Sequence, residues 1–329
     1  MLNPPHRFGQ DTSQWITVPP QGYGGIQWVV ATLIDALLAA GHEVLLVGAP
    51  GSTARPGLTV SDATTFDTTR AALRTFGPDV VHDHTNGQLL PAEPDWPTVR
   101  THHLNSVPEY RTNSVYLSHA QRRAAGSEHA PLIRLPVNPD RYTYRQEKED
   151  FLLFLGRVSV HKGARQAAAF AQAAGLPLKL AGPAWEPDYL HGILTDFPGT
   201  AEYVGEVGGS HRTELLAAAR GLLVLSQPLG GPLGDEWIEP GATVVAEAAV
   251  SGTPVIASDN GCLAEIAPHV GIALPVEHTP TGEEAAKILA GLPAPKQLRA
   301  TAVERWGHHL TASTYLEVYR RAAADGTWT

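Results

Sequence analysis

The sequence predicts an α/β protein made of two Rossmann-like, doubly wound domains in succession. Three observations predict it. Short apolar runs alternate with segments of helical periodicity along the chain, the rhythm of repeated βα units. The rhythm restarts at Phe151-Leu152-Leu153-Phe154-Leu155, directly after the polar run from Arg145 to Asp150. The length of 329 residues suits two domains, each large enough to bury its own core.

In the first half, Ile26, Val29, Val30, Leu33, Ile34, Leu37 and Leu38 recur at helical spacing until Gly41, which suits a left-handed position after a helix. Strands are expected at Val44–Val47, Val80-Val81, Val99, Val115-Tyr116-Leu117 and Leu132-Ile133. In the second half they are expected at Leu178-Lys179-Leu180, Tyr203-Val204, Leu222–Leu225 and Pro254-Val255-Ile256, alternating with helices over Ala164–Ala174, Arg212–Ala219 and Thr243–Val250. Short apolar strands between helices are buried on both faces, so both sheets are expected to be parallel. The domains are placed at 1–144 and 145–305, with a final helical segment at 306–329. One irregularity stands out: only Met1 and Leu2 precede Asn3-Pro4-Pro5, and proline removes a ladder donor. The expectation is that the first strand begins upstream of Met1, which intact mass of the native protein would check.

Composition narrows the function. Hydrophobic residues make up 43% and charged residues 17%, with 24 Lys and Arg against 33 Asp and Glu, a net charge of −9. That balance excludes disordered and collagen-like chains. The acidic surface, without blocks of like charge, gives no electrostatic footprint for nucleic acid or anionic lipid. Cys262 is the sole cysteine, so neither an internal disulfide nor a thiolate metal cluster forms. The first ten residues lack the pattern of a signal peptide, and no apolar stretch is long enough to span a membrane, so a cytoplasmic location is expected.

The strongest chemical signal is Gly156-Arg157-Val158-Ser159-Val160-His161-Lys162-Gly163, between a strand and a helix. Free helix N–H groups, the positive dipole end, a guanidinium and an ammonium together make a site for a diphosphate. A solvated basic loop is the plainer alternative. The second signal is Glu239-Pro240-Gly241-Ala242-Thr243-Val244-Val245-Ala246-Glu247, with one carboxylate before a helix and one within it. That helix would aim its N-terminus at a phosphate and leave the carboxylates to accept hydrogen bonds from hydroxyls; two ordinary helix carboxylates are the alternative.

The loop Gln21-Gly22-Tyr23-Gly24-Gly25 feeds the first helix and lets backbone approach a ligand. It lacks the third glycine of the dinucleotide fingerprint, and no acidic residue clearly fits a ribose about twenty positions on, Glu43 being the nearest, which disfavours a nicotinamide dehydrogenase. Histidines form a fourth group, His82-Asp83-His84 after one strand and His102-His103 after the next. They are candidates for hydrogen bonding to sugar hydroxyls or a phosphate. A zinc site is the competing reading, disfavoured because a closed site wants four ligands.

With these residues in view, nearly the whole chain resembles the retaining glycosyltransferases of family 4, whose GT-B fold places two Rossmann-like domains around a cleft. The resemblance rests on Gly24-Gly25, the Gly156–Gly163 segment, and the Glu239/Glu247 pair with Ala248 and Gly252-Thr253-Pro254-Val255. Closer likeness within that family runs through Val18–Trp28, Ala181–Pro187 and Gly261–Ile266. The resemblance implies that Arg157 and Lys162 hold the donor diphosphate, that Glu247 binds ribose hydroxyls, and that Glu239 faces the donor sugar. It further implies that Thr243 and Val244 supply N–H groups to phosphate and that the segment ending at Val207 reads the base. His103 is the first choice for a histidine against the sugar, with His102, His82 and His84 as further sugar or acceptor candidates. The last helix is expected to return to the first domain. The chain departs from the family where Glu-Pro-Phe-Gly is common, having Glu239-Pro240-Gly241-Ala242 after a long Gly- and Pro-rich approach, Gln227–Ile238.

The implied activity is metal-independent, cofactor-free glycosyl transfer, of hexosyltransferase type, from a nucleotide diphosphate sugar to a hydroxyl acceptor, with retention, in natural-product or glycan biosynthesis. Glu239 and Glu247 are not the closely spaced carboxylate pair of a retaining glycosidase. A glycoside phosphorylase or nucleotide-sugar hydrolase on the same fold, and a non-catalytic sugar- or nucleotide-binding or partner protein, are the alternatives.

Overall fold

The computed structural model describes residues 1–2, 16–85, 87–104, 111–229, 236–324 and 326–328. Asn3-Pro4-Pro5 lies outside them, as does the 230–235 part of the Gln227–Ile238 approach. The chain divides into two compact units, Met1–Pro136 with His308–Thr329, and Val137–Gly307.

The first unit opens with α1 (Gly25–Ala39), the expected amphipathic helix, ended by Gly41 at φ 84°. It continues through β1 (Val44–Val47), β2 (Leu58–Ser61), α2 (Phe66–Phe76), β3 (Val81–Asp83), β4 (Thr98–Thr101), β5 (Ser114–Val115) and α3 (His119–Ala124). β2 and α2 had no apolar run to announce them: β2 buries one side chain fully, and α2 is held by a Thr65/Thr68 capping box with Thr69 and Leu73 inward. β1 pairs with β2, and β3, β4 and β5 pair in that order, all in parallel.

Leu2 joins these two sheets through parallel bridges to Val47 and Asp83. Met1 and Leu2 therefore act as a strand between β1 and β3, with Leu2 fully buried and its N–H donating to His82 O at 2.9 Å. Burial of the Met1 ammonium pushes its pKa down to about 5, against the opposing pull of Asp83. Beside it, at the amino-terminal edge of the strands, a cavity of about 470 Å³ is lined by Met1, Glu43, Asp79, His82, Tyr319 and Arg320. The strand expected at Leu132-Ile133 reduces to an isolated bridge from Leu132 to Tyr116, because the flanking Pro131 and Pro136 contribute no ladder donors.

In the second unit, β6 (Glu149–Leu155), α4 (Ala164–Ala174), β7 (Leu178–Ala181), α5 (Pro187–Asp196), β8 (Ala201–Gly205), α6 (Gly209–Ala218), β9 (Ala219–Val224), α7 (Thr243–Val250), β10 (Val255–Ser258), α8 (Leu263–Ile266), β11 (Gly271–Leu274), α9 (Gly282–Ala290) and α10 (Pro295–Trp306) follow in order. Among the described residues they build a six-stranded sheet ordered β11-β10-β9-β6-β7-β8, parallel throughout. The order reverses between β6 and β9, the topological switch point beside which such sheets bind ligands. Both faces are covered, one by a core with Leu215, Leu216, Val245 and Leu298, the other by a core with Ala167, Phe170, Leu190 and Ile193.

The domain boundary expected between 144 and 145 falls inside this unit. Val137 N donates to Trp306 O at 2.8 Å, and Lys148 Nζ donates to Ala217 O, Ser251 O and Thr253 Oγ1. The charged run from Arg145 to Asp150 is thus no free linker: its end starts β6, and its lysine takes the carbonyls of Ala217 in the last turn of α6 and of Ser251 at the end of α7. The last helix, α11 (His308–Ala323), packs its Ala312, Tyr315, Val318 and Tyr319 into the core of the first unit.

Candidate active site

The second unit gathers the charged candidates at the carboxyl ends of β6 and β9. Strand β6 delivers Arg157, which lies 7% exposed with its guanidinium 5.0 Å from the Trp185 ring centroid. A 3₁₀ turn over Val160–Lys162 then presents Lys162, and Gly163 follows at φ 73°. A Cβ at Gly163 would stand 1.8 Å from Leu225 O, so only glycine lets this loop lie against the end of β9. His161 O accepts from Gln227 N and Ser226 Oγ, which ties the two loops together.

Across that junction Lys162 Nζ donates to both oxygens of Glu239, at 2.9 and 2.7 Å. Trp237 Nε1 donates to Glu239 Oε2 at 3.0 Å, and its ring lies 4.7 Å from the Lys162 nitrogen. The backbone of Glu239 is held as firmly: Cys262 N donates to its carbonyl at 2.8 Å, and a Cβ on Gly261, at φ 60°, would stand 2.4 Å from that oxygen. Burial would raise the Glu239 pKa, but the Lys162 charge and hydrogen bonds from Lys162, Trp237 and Ser226 more than reverse this and hold it below the usual carboxylate value. Burial, reinforced by Arg157, pushes the Lys162 ammonium below its usual value against the pull of Glu239.

After Glu239 the chain turns through Ala242, a non-glycine residue at φ 47°, into α7. Thr243 and Val244 form the first turn of that helix, which has no side-chain cap. In α4, by contrast, the Arg165 N–H is taken by the Tyr189 hydroxyl at 3.1 Å. Glu247 sits one turn further along α7, 3% exposed and ion-paired with Arg212 of α6. The Tyr142 phenol joins the same hydrogen-bond network, and burial with the Glu247 charge pushes its pKa up. Val207, buried between β8 and α6, begins the approach to that helix.

Gly24 and Gly25 belong to the first unit, as N-cap and first residue of α1. A Cβ at Gly24 would meet Pro20 at 2.9 Å, whereas one at Gly25 would meet nothing within 4 Å. The histidines lie there too, His82 within β3, His84 just after it, and His102 and His103 after β4. His82 is bonded through both ring nitrogens, to Tyr319 OH and Thr101 Oγ1, each at 2.7 Å, and Thr101 Oγ1 reaches Tyr315 OH at 2.8 Å. His84 Nδ1 meets His103 Nε2 at 2.8 Å, while His84 Nε2 is buried without a partner. His102 Nε2 pairs with Ser114 Oγ at 2.8 Å. Burial lowers the pKa of all four: His82 and His84 fall well below the usual value, His102 to about 4 and His103 to about 3, with neighbouring positive charge adding to each. Asp83 accepts from Thr85 N and Oγ1 and from Gly87 N.

The structure thus brings Arg157, Lys162 and Glu239 together, joins Thr243, Val244 and Glu247 on one helix, and groups His82, His84 and His103 separately. Sequence reading missed Trp237, Trp185, Tyr142 and Arg212. Trp237 stood two residues from Glu239 and was legible as an aromatic beside a carboxylate. Arg212 lies 35 positions from its partner and gave no local signal.

The two units, each a parallel sheet flanked by helices, and the cationic cluster at the switch point of the second define the GT-B class. Solved structures agree: the chain is similar to sucrose-phosphate synthase from Thermosynechococcus elongatus (18% identity, 92% of this chain and 94% of that one, TM-score 0.71) and to Anabaena Alr3699/HepE in complex with UDP and glucose (16%, 89% and 96%, TM-score 0.63). It is 51% identical to AviGT4, a glycosyltransferase involved in avilamycin A biosynthesis, over 100% of this chain and 98% of that one, with a TM-score of 0.94. The chain belongs to this family of GT-B glycosyltransferases. No protein-family model matches it, and no curated protein does. Among the described residues no helix is long and apolar enough to cross a membrane.

Proposed function

We propose that the protein transfers a glycosyl group from a nucleotide diphosphate sugar to a hydroxyl acceptor with retention at the anomeric carbon, in the cytoplasm and without a metal ion or further cofactor. The observation that carries this reading is the Lys162–Glu239–Trp237 cluster beside Arg157, two cations and a pinned carboxylate at the switch point of the sheet. Donors with a uridine diphosphate are the first to test, because HepE was solved with UDP-glucose. The likeness to AviGT4 supports a place in natural-product biosynthesis.

In this reading Arg157, Lys162 and the α7 N–H groups at Thr243 and Val244 receive the diphosphate. Glu247 accepts the ribose hydroxyls, and backbone at Val207 reads the base. Gly24 and Gly25 leave room for backbone to approach the donor. Glu239 holds Lys162 in place until the diphosphate competes for the ammonium, and then faces the donor sugar. The bond from the anomeric carbon to the diphosphate oxygen breaks as the acceptor oxygen bonds to that carbon, and the acceptor proton passes to the departing phosphate. Fixed cations stabilise the charge developing on the leaving group. His103, kept neutral by burial, is a hydrogen-bond partner for a sugar hydroxyl, backed by His84.

Calorimetry against UDP, GDP, ADP and dTDP, followed by product analysis with the matching nucleotide sugars in EDTA, tests this. A retained anomeric configuration in a glycoside product supports it. Sugar phosphate or free sugar as the main product points to a phosphorylase or hydrolase, and no binding to any nucleotide points to a non-catalytic protein.

A further inference from the structure

We propose that Arg212 is the positioning residue that presents Glu247 to the pentose hydroxyls of the donor, so that sugar-ring recognition in the nucleotide depends on α6 as well as α7. This deepens the reading of Glu247 given above and rests on it. Glu247 lies four positions after Thr243, about 6 Å along the helix from its open N-terminus. A phosphate group at that terminus would leave the pentose of the same nucleotide at the level of Glu247.

The carboxylate is buried, and a buried carboxylate without a partner is costly and tends to take up a proton. Arg212 supplies the partner. Its guanidinium is ion-paired with Glu247 Oε2, the side chains being 14% and 4% exposed. A rigid guanidinium plane fixes the carboxylate's orientation as well as its charge, which a lysine does less well. Tyr142 closes the network from a third segment. Burial works against the Arg212 charge, yet Glu247 and Tyr142 hold its pKa above the usual value.

The placement of Arg212 adds a consequence. It sits in the first turn of α6, whose N-cap Gly208 directly follows Val207, the backbone assigned to the base. One helix would then set both the base-reading loop and the orientation of the carboxylate that reads the pentose. A clasp that merely joins α6 to α7 would show none of this selectivity.

The test is calorimetric, on the full chain, with whichever nucleoside diphosphate binds best, its 3′-deoxy analogue and, for a ribonucleotide, its 2′-deoxy analogue. A hydrogen bond to a charged acceptor predicts that wild type loses about tenfold or more in affinity when the relevant hydroxyl is removed. Arg212→Met is expected to bind the parent nucleotide as weakly as the deoxy analogue, while its affinity for that analogue stays within about twofold of wild type. Arg212→Lys, which restores charge without the fork, is expected to recover part of the discrimination. Discrimination unchanged in Arg212→Met overturns the proposal. So does loss of the unfolding transition in both variants, which would make Arg212 a scaffold residue. If wild type itself does not discriminate, the Glu247 reading fails and the proposal falls with it; if wild type discriminates and Arg212→Met does too, only the proposal falls.

Discussion

Around Glu239 the second unit buries charge in pairs, whereas around His82 and His84 the first unit buries titratable rings and keeps them neutral. Lys162 and Glu239 are each other's compensation, and Trp237 adds a hydrogen bond and a ring face. The histidines are bonded to hydroxyls and to one another, while the charge of Asp83 is taken up by Thr85, Gly87 and, at 3.9 Å, the buried Arg100 guanidinium. The difference teaches that a cluster of ionisable residues is not one kind of site. A buried cation held by a carboxylate suits an anionic ligand that can compete for it, while desolvated imidazoles offer hydrogen bonds in either direction and suit neutral hydroxyls.

Breaking the charged cluster should have the largest effect. Arg157→Ala is expected to lower kcat/KM by about a hundredfold or more, the scale of losing one fixed electrostatic contact to a developing charge, with its circular dichroism melt close to wild type because Arg157 anchors no core. Lys162→Ala should lose activity on the same scale and also lower Tm, because it leaves the buried Glu239 carboxylate uncompensated. Equal melts for the two variants would contradict the pairing.

Acid should separate the two regions. The histidines have folded pKa values below the usual 6.5, His102 at about 4 and His103 at about 3. The unfolded chain therefore takes up protons first, and the first unit loses stability as pH falls from about 6.5 towards those values. Glu239 has a folded pKa below 4.5, so its contribution is fully present above that value and disappears only as pH falls further, through the folded pKa. Hydrogen exchange followed from pH 7 to 4.5 should show protection falling in β3, β4 and α11 before it falls around Glu239; simultaneous loss would refute the distinction.

Within the histidine group, His82 and His103 should diverge. His82→Ala strands the Tyr319 hydroxyl and leaves Thr101 Oγ1 with Tyr315 OH alone, and should cost about 2 kcal/mol of stability, measured by urea unfolding. His103→Ala should act more on kcat than on stability. The smallest effect is expected at Ala242. A left-handed alanine is strained, so Ala242→Gly relieves strain and loses part of that gain to the more flexible unfolded chain, a net stabilisation of under about 1 kcal/mol. A lower melting temperature would show that the αL conformation is not strained here.

How much of this was readable in advance follows from the range of each interaction. Helices α1, α4 and α7 and the strand at Phe151 were legible because apolar periodicity is a local signal, and Gly163 and Gly41 marked their loops for the same reason. β2 and α2 escaped because their burial is slight and their helix signal rests on a threonine cap. The run from Arg145 to Asp150 misled because a charged segment reads as a linker until Lys148 is seen among the carbonyls of Ala217 and Ser251.

By itself the sequence determined that the chain is an α/β protein of two wound units, with cations after one strand and carboxylates flanking a helix start, because those features are written in neighbouring residues. Only the tertiary structure decided which charges are partners. Lys162 meets Glu239 across 77 positions, Glu247 meets Arg212 across 35, and His82 meets Tyr319 across 237. Such pairs are brought together by strand order and helix packing, and nothing in local periodicity encodes them.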